Sequence, residues 1–171
     1  MNNTKDQYKF ENNGSDISFM PNYNFIHTLK WCLGAGILAI PVLYYFRNIL
    51  SQNAFTIAAV VLGIYMIYFL WDLLFRIPVK YIFDKREKCI YRKLFLTKKI
   101  MSFDEMTYFI NEDSGGYYYV IGKKRNQFVK NYRISNYFSG SKKSRLREDE
   151  FLTNILYPVL DAIDVPINRP H

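Results

Sequence analysis

Histidine and cysteine are scarce in this sequence of 171 residues, which contains two of each. His27 and His171 lie at distant points of the chain, so the sequence offers no histidine cluster for general-base catalysis or metal binding. The P-loop, GxSxG, CxxC and HExxH motifs are also missing. We therefore predict a protein that is not an enzyme and that holds neither a cofactor nor a metal.

The two cysteines also predict no disulfide. Cys32 lies in a long apolar run, whereas Cys89 lies in an alternating, strand-like pattern much further along the chain. We expect these two positions to belong to different parts of the protein, so that the thiols do not meet. Unpaired thiols are typical of a reducing compartment.

Charged residues are absent from two long stretches of the sequence, 31–46 and 54–71. A bilayer core of about 30 Å requires roughly 20 mostly apolar residues in a helix. Spans at 29–49 and 54–75 reach that length, and residues 25–76 are therefore predicted to form a transmembrane helical hairpin. The alternative is a buried hairpin in a soluble core. It is disfavoured because the remaining chain is too small to cover both helices.

Polar groups within the spans are few. Asp72 is the acid nearest to membrane depth, and Arg76 follows it by four residues, so the two form a predicted ion pair on one helix face at the membrane interface. A transporter or channel would need polar pore-facing positions, and the spans offer only Thr56 besides tyrosines and glycines. The hairpin is therefore interpreted as an anchor.

Small residues predict where the two spans pack against each other. Gly34 and Gly36 in the first span allow close approach of a second helix. Gly63 in the second span is the expected opposite position. Pro41 is expected to bend the first helix or to loosen its hydrogen bonds.

The charges that flank the spans predict their orientation. Arg47 is the only cation in the short turn between them, while five cations follow the second span: Arg76, Lys80, Lys85, Arg86 and Lys88. By the positive-inside rule, both the N-terminus and the C-terminal region are predicted to be cytoplasmic. Residues 77–171 also carry 18 Lys/Arg against 11 Asp/Glu, a net charge of +7.

Polar and alternating patterns define the rest of the chain. Residues 1–24 are rich in Asn, Ser, Asp and Gly and are predicted to be a flexible tail. Alternation then predicts six strands, at 79–83, 89–95, 100–103, 107–110, 117–121 and 128–134. A basic loop at 139–147 leads to a predicted amphipathic helix at 148–163, with three acids in its first turn. The predicted domain covers 77–165, and 166–171 form a tail.

Three sequence segments carry a resemblance to a known family. They are Tyr-Ile-Phe-Asp-Lys at 81–85, Cys-Ile-Tyr-Arg at 89–92 and Ile-Met-Ser-Phe-Asp-Glu-Met at 100–106. Placed after two spans, they resemble bacterial membrane proteins of the YcxB-like and bacterial PH type. The resemblance implies an α+β membrane protein, in which a two-helix hairpin precedes an antiparallel PH-like β-barrel or sheet capped by one C-terminal helix. A PH barrel has seven strands, so the seventh is missing, short or near 136–138.

Basic clusters are the candidate binding surface. They are Lys98 and Lys99, then Lys123, Lys124 and Arg125, and finally Lys142, Lys143, Arg145 and Arg147. Such clusters are ordinary solvated surface in many basic proteins, but they also attract anionic lipid at about 1 kcal/mol per basic residue. Nucleic-acid binding is disfavoured, because the aromatic residues are expected in the strand core and not on a stacking platform.

These observations predict a non-enzymatic protein of the bacterial inner (cytoplasmic) membrane. Its cytoplasmic PH-like domain is expected to bind a protein partner at the membrane. Two roles fit this description: an immunity protein that neutralises a membrane-acting toxin, and a regulatory or scaffold subunit docked on anionic lipid. A small transporter component built from an oligomerised hairpin is the alternative from another class, and homo-oligomerisation is left open.

Overall fold

The computed structural model describes residues 4–124 and 131–163. The chain divides into two compact units. One unit consists of residues 24–78 and is called the helical hairpin below. The other combines the segments before residue 24 and after residue 78, and it is called the sheet domain.

The sheet domain contains two antiparallel sheets and a C-terminal helical segment. Its elements are α1 (Thr4–Gln7), β1 (Glu11–Asn12), β2 (Asp16–Phe19), β3 (Lys80–Asp84), β4 (Cys89–Lys93), β5 (Thr97–Ser102), β6 (Met106–Asp113), β7 (Gly116–Lys123), β8 (Tyr132–Arg133), α4 (Lys142–Phe151) and α5 (Tyr157–Ala162). The first sheet has the order β1-β2-β3-β4-β5 and the second β6-β7-β8. All neighbouring strands are antiparallel.

The helical hairpin contains α2 (Ile26–Tyr45) and α3 (Gln52–Trp71). Ser51 caps the second helix, since its hydroxyl accepts from the Ala54 N–H at 3.3 Å. With their flanking turns, the helical segments Tyr23–Asn48 and Gln52–Arg76 have mean hydropathies of 1.5 and 2.1. Both are long and apolar enough to cross a membrane, as the sequence predicts.

One glycine, Gly36, lies at the contact between these helices. A Cβ at Gly36 would collide with the Met66 sulfur and lie 3.1 Å from the Tyr65 ring. The Tyr65 hydroxyl also donates to the Cys32 carbonyl at 3.0 Å, which joins the helices by a hydrogen bond. Gly34 and Gly63 have no atoms within 4 Å of a built Cβ, so the predicted contact between these two is wrong.

Replacing Gly36 with leucine is therefore expected to separate α2 from α3. Overpacking of this kind costs about 1–3 kcal/mol, and the thermal unfolding midpoint of the protein in detergent should fall. Gly34→Leu is the matched control, because open space surrounds that position. Equal destabilisation by the two variants would contradict the assigned contact.

The N-terminal segment departs from the prediction of a flexible tail. β2 pairs with β3 along its whole length, from Asp16 opposite Asp84 to Phe19 opposite Tyr81. Ile17 and Phe19 are each only 1% exposed. The polar composition of this segment obscures a short alternation, in which these two side chains enter the core while their neighbours face away.

Helix α1 is held against the C-terminal helical segment by separate contacts. Tyr8, which follows α1, is buried and packs on Phe151 with 5.1 Å between ring centroids. The Thr4 hydroxyl donates to Glu150 at 2.7 Å. Residues 4–19 therefore belong to the sheet domain: β2 pairs with the first sheet, and Thr4 and Tyr8 contact α4.

Phe19→Ala is expected to destabilise the sheet domain strongly, even though the residue precedes the hairpin. Truncation of a buried phenylalanine costs about 3–5 kcal/mol, and backbone amides of β3 should exchange faster with deuterium in the full-length protein. Asn13→Ala, at an exposed turn position, is the control and should leave β3 exchange unchanged. Unchanged β3 exchange in the Phe19 variant would disprove the structural role of β2.

The predicted strands differ from the structure in several places, of which three affect the architecture. The strand expected at 89–95 ends at Lys93, and residues 94–96 form the turn to β5. Of the strand expected at 128–134, the described part contains only Tyr132–Arg133. Near 136–138, Phe138 makes an isolated bridge to Tyr117. Of the predicted antiparallel barrel or sheet, residues 4–124 and 131–163 form two separate antiparallel sheets and no closed barrel.

The C-terminal helical segment begins earlier than predicted. Ser141 is the N-cap of α4, so the stretch predicted as a loop at 139–147 is helical from Lys142 onward. A π-helical turn, Leu152–Leu156, connects α4 with α5. The predicted apolar face is buried as expected: Phe151, Ile155, Leu156, Val159, Leu160 and Ile163. The tail predicted at 166–171 lies outside the described residues.

Candidate partner-binding surfaces

The predicted basic residues fall on three separate elements of the sheet domain. Lys98 and Lys99 lie exposed on β5, Lys123 and Lys124 lie at and just after the end of β7, and the third group lies on α4. That group, Lys142, Lys143, Arg145 and Arg147, is exposed. Arg125 lies outside the described residues.

The structure neutralises part of the second group. Lys123 Nζ lies 2.9 Å from a carboxylate oxygen of Glu105, and the Lys124 N–H donates to the Glu105 carbonyl at 2.8 Å. The hydrogen bond and charge of Lys123 lower the pKa of Glu105 below its usual value. These contacts fasten the end of β7 to the start of β6.

The first group is larger than the sequence indicates. In the antiparallel register, Lys98 lies directly opposite Arg92 of β4, and Lys99 lies opposite Tyr91. Lys93 lies exposed at the end of β4. A like-charge pair placed directly across a sheet is destabilising, so the mutual repulsion of Arg92 and Lys98 disfavours folding.

The turn between these strands carries exposed apolar side chains. Phe95 is 66% and Leu96 is 84% exposed. A surface cavity of about 330 Å³ adjoins them and reaches Ile100 of β5 and Tyr132 of β8. We name residues 92–99 the β4–β5 tip. In the sequence, this exposed turn is indicated by the apolar dipeptide Phe95-Leu96 between Lys93 and Lys98. The predicted strand at 89–95 includes Phe95 and therefore does not predict a turn there.

A second surface contains an arginine packed on aromatic rings. The Arg133 guanidinium lies 4.8 Å from the Tyr118 ring centroid and 4.1 Å from that of Tyr137. These rings meet edge to face at 5.0 Å. We name Asp113, Tyr118, Arg133 and Tyr137 the Arg133 cluster. The expectation that the strand aromatics lie in the core holds for Tyr81, Phe83 and Tyr119, but Tyr137, outside the strands, is 44% exposed.

Hydrogen bonds fix the orientation of this cluster. The Tyr137 hydroxyl donates to Asp113 at 2.9 Å, and Arg133 Nε donates to the Ser135 carbonyl at 2.7 Å. The Ser114 N–H and then the Tyr137 hydroxyl lower the pKa of Asp113, and this carboxylate in turn raises the pKa of Tyr137. The cluster therefore presents a charged group and two rings in a fixed arrangement.

On the other face of β7, two tyrosines bind the C-terminal helical segment. The hydroxyls of Tyr117 and Tyr119 both donate to Glu148, the second at 2.7 Å. The Glu148 hydrogen bond raises the pKa of Tyr117 to about 12. Burial, followed by this bond, raises the pKa of Tyr119. Glu148 was predicted in the first turn of a helix, but it joins helix to sheet from within α4.

Glu148→Gln is expected to weaken the attachment of α4 to β7. Hydrogen bonds to a charged group contribute about 1.5–3 kcal/mol, and a neutral amide retains only part of that. The free energy of unfolding, followed by near-ultraviolet circular dichroism, should fall by about 1–3 kcal/mol. Asp149→Asn is the exposed control on the same helix. Equal effects at both positions would show that helix charge, not the tyrosine contacts, matters.

The remaining acids form no metal-binding group within the described residues. No group of three His, Cys, Asp or Glu side chains is placed there to hold a metal ion. Asp72 and Arg76 form the expected i,i+4 ion pair at 3.2 Å, within the π-helical turn Asp72–Arg76. The placement of this pair at a membrane interface stays a prediction.

Together, these features define a mixed α+β protein with two long apolar helices and a domain of antiparallel sheets. No family model, curated protein or solved structure matches the chain.

Proposed function

We propose that this is a non-enzymatic, two-span protein of the bacterial inner membrane, whose cytoplasmic sheet domain binds a protein partner. The observation that carries the proposal is the Arg133 cluster. Tyrosine and arginine are enriched among the residues that contribute most to protein–protein binding. A partner gains more from such groups when they are already fixed, because less side-chain entropy is lost on binding.

The helical hairpin supports the membrane part of the proposal. Its helices have the length and composition of membrane spans, and their apolar side chains face outward, including Ile37, Leu38, Ile64 and Ile67. A lipid environment is the natural cover for such a surface. Few cations in the turn and many after the second helix favour the cytoplasmic orientation.

The strand count supports a PH-like interpretation of the sheet domain. Strands β2 to β8 are seven strands followed by a C-terminal helical segment. The strand that the sequence count lacked is β2, which precedes the hairpin. In this proposal the hairpin is an insertion after the first strand of a PH-like domain of the YcxB-like or bacterial PH type, with β1 as an addition.

Two roles remain within this class. An immunity protein against a membrane-acting toxin fits the small size and the short turn between the helices, and a regulatory or scaffold subunit fits the exposed basic surface. The transporter alternative has weaker support. Thr56, a polar side chain in the second helix, donates its hydroxyl hydrogen to the Gln52 carbonyl at 2.9 Å and so is engaged within its own helix.

Site-specific photocrosslinking in intact membranes tests the proposal. A photoreactive amino acid at Glu112, exposed beside Asp113, should crosslink a discrete partner. Arg133→Ala should reduce the yield at least tenfold, because loss of a major binding residue costs about 2 kcal/mol or more. A photoreactive residue at Leu146, exposed on α4, is the control position and should give no such product.

Two outcomes would contradict this function. One is the absence of a crosslink at residue 112 in cells that express the protein from its own locus. The other is an unchanged yield in the Arg133 variant, provided that its thermal unfolding matches that of the parent. To separate the two roles, cells lacking the gene are exposed to toxin-producing neighbours, and only the immunity role predicts loss of resistance.

A further inference from the structure

The β4–β5 tip combines two features that a soluble surface does not require. Its turn exposes Phe95 and Leu96, both large and apolar, and its strands place four cations beside them: Arg92, Lys93, Lys98 and Lys99. Water disfavours exposed apolar side chains, and each of these cations repels the others. A ligand with an apolar interior and an anionic surface would cover the apolar side chains and also reduce the repulsion between the cations.

Within the described residues, the four cations of the tip form no salt bridge with an acidic side chain. The salt bridges among residues 4–124 and 131–163 join Arg76 to Asp72, Lys80 to Glu11 and Lys123 to Glu105. None of these pairs involves the four cations of the tip. By contrast, the neighbouring Lys80 Nζ donates to a Glu11 carboxylate oxygen at 2.6 Å, and this hydrogen bond lowers the pKa of Glu11. The positive charge is therefore concentrated at the turn.

The strand register places the tip at a particular end of the first sheet. Phe19 lies opposite Tyr81, Lys80 lies opposite Lys93, and Lys93 lies opposite Thr97. The end of β2, the start of β3 and the tip consequently share one end of the sheet. The chain leaves the sheet domain for the hairpin after residue 23 and returns before residue 79, so both connections extend from this end.

We propose that the β4–β5 tip docks on an anionic bilayer, with Phe95 and Leu96 inserted among the lipids and the four cations against their phosphates. This membrane contact is a second site, separate from the Arg133 cluster, and it does not depend on a protein partner. Each basic residue near an anionic surface strengthens attraction about fivefold. Since the hairpin already tethers the domain, the tip sets the orientation of the domain.

Deuterium exchange on the unaltered, full-length protein tests this docking. The protein is reconstituted in nanodiscs of phosphatidylcholine alone or of phosphatidylcholine mixed with anionic phosphatidylglycerol. Amides of residues 94–98 should exchange at least fivefold more slowly in the anionic discs. Amides of α4 are the internal reference and should exchange equally. Equal exchange of the tip in both lipids would overturn the proposal.

Variants separate insertion from charge attraction. Phe95→Ser with Leu96→Ser should abolish the protection in anionic discs. Lys93→Gln, Lys98→Gln and Lys99→Gln together should abolish its dependence on phosphatidylglycerol. Lys142→Gln with Lys143→Gln is the matched control on α4 and should retain the protection. A protein in which the α4 pair matters as much as the tip would also overturn the proposal.

An acidic peptide is the competing ligand for the same surface. Polyglutamate is added to the protein in phosphatidylcholine discs, and exchange of residues 94–98 is measured again. Protection by polyglutamate without protection by phosphatidylglycerol would assign the tip to an acidic protein and refute membrane docking. Loss of the residue 112 crosslink, with tip protection intact, would refute only the proposed partner function.

Discussion

The pairing of β2 with β3 is the interaction on which the rest of the structure depends. It joins segments that lie on either side of the entire helical hairpin, and it aligns Phe19 with Tyr81 and Ile17 with Phe83. Phe19 also stacks on Phe83 with 5.8 Å between centroids, so the pairing continues directly into the core. The entropic cost of closing a loop grows only slowly with its length, so a long insertion between two paired strands is tolerated. The sheet domain is therefore one unit interrupted by the hairpin, not a unit that follows it.

Much of this architecture could be predicted from periodicity. The lack of charge at 31–46 and 54–71 identifies both long helices, and apolar spacing identifies the buried face of the C-terminal helical segment. The N-terminal strand could not be recognised, because Ile17 and Phe19 are only two apolar positions in a polar stretch. Their burial depends on a partner strand distant in sequence. The start of α4 could not be predicted for a different reason. Its first residues are cationic, which is unfavourable at the N-terminal end of the helix dipole, and only the Ser141 cap marks the boundary.

Composition alone does not predict which basic or aromatic residues form the candidate sites. Clusters of lysine were visible in the sequence, but register decides which of them remain uncompensated: Lys98 gains Arg92 as a neighbour, whereas Lys123 gains Glu105. The Arg133 cluster was hidden by the run Tyr117–Tyr118–Tyr119, in which successive tyrosines point to opposite faces. Two of them bind Glu148 and one packs against Arg133. Tyrosines thus attach the helix on one face of β7 and pack against Arg133 on the other.

The distribution of charge distinguishes the tip from the other basic groups. In α4 the four cations are followed by Glu148, Asp149 and Glu150, so the helix as a whole has little net charge. At the tip, apolar exposure and uncompensated charge coincide, and both adjoin the end of the sheet from which the hairpin connections extend. In the docking that we propose, the tip would add a membrane contact to the tether that the hairpin provides. The Arg133 cluster lies on the second sheet and would stay available to the proposed partner.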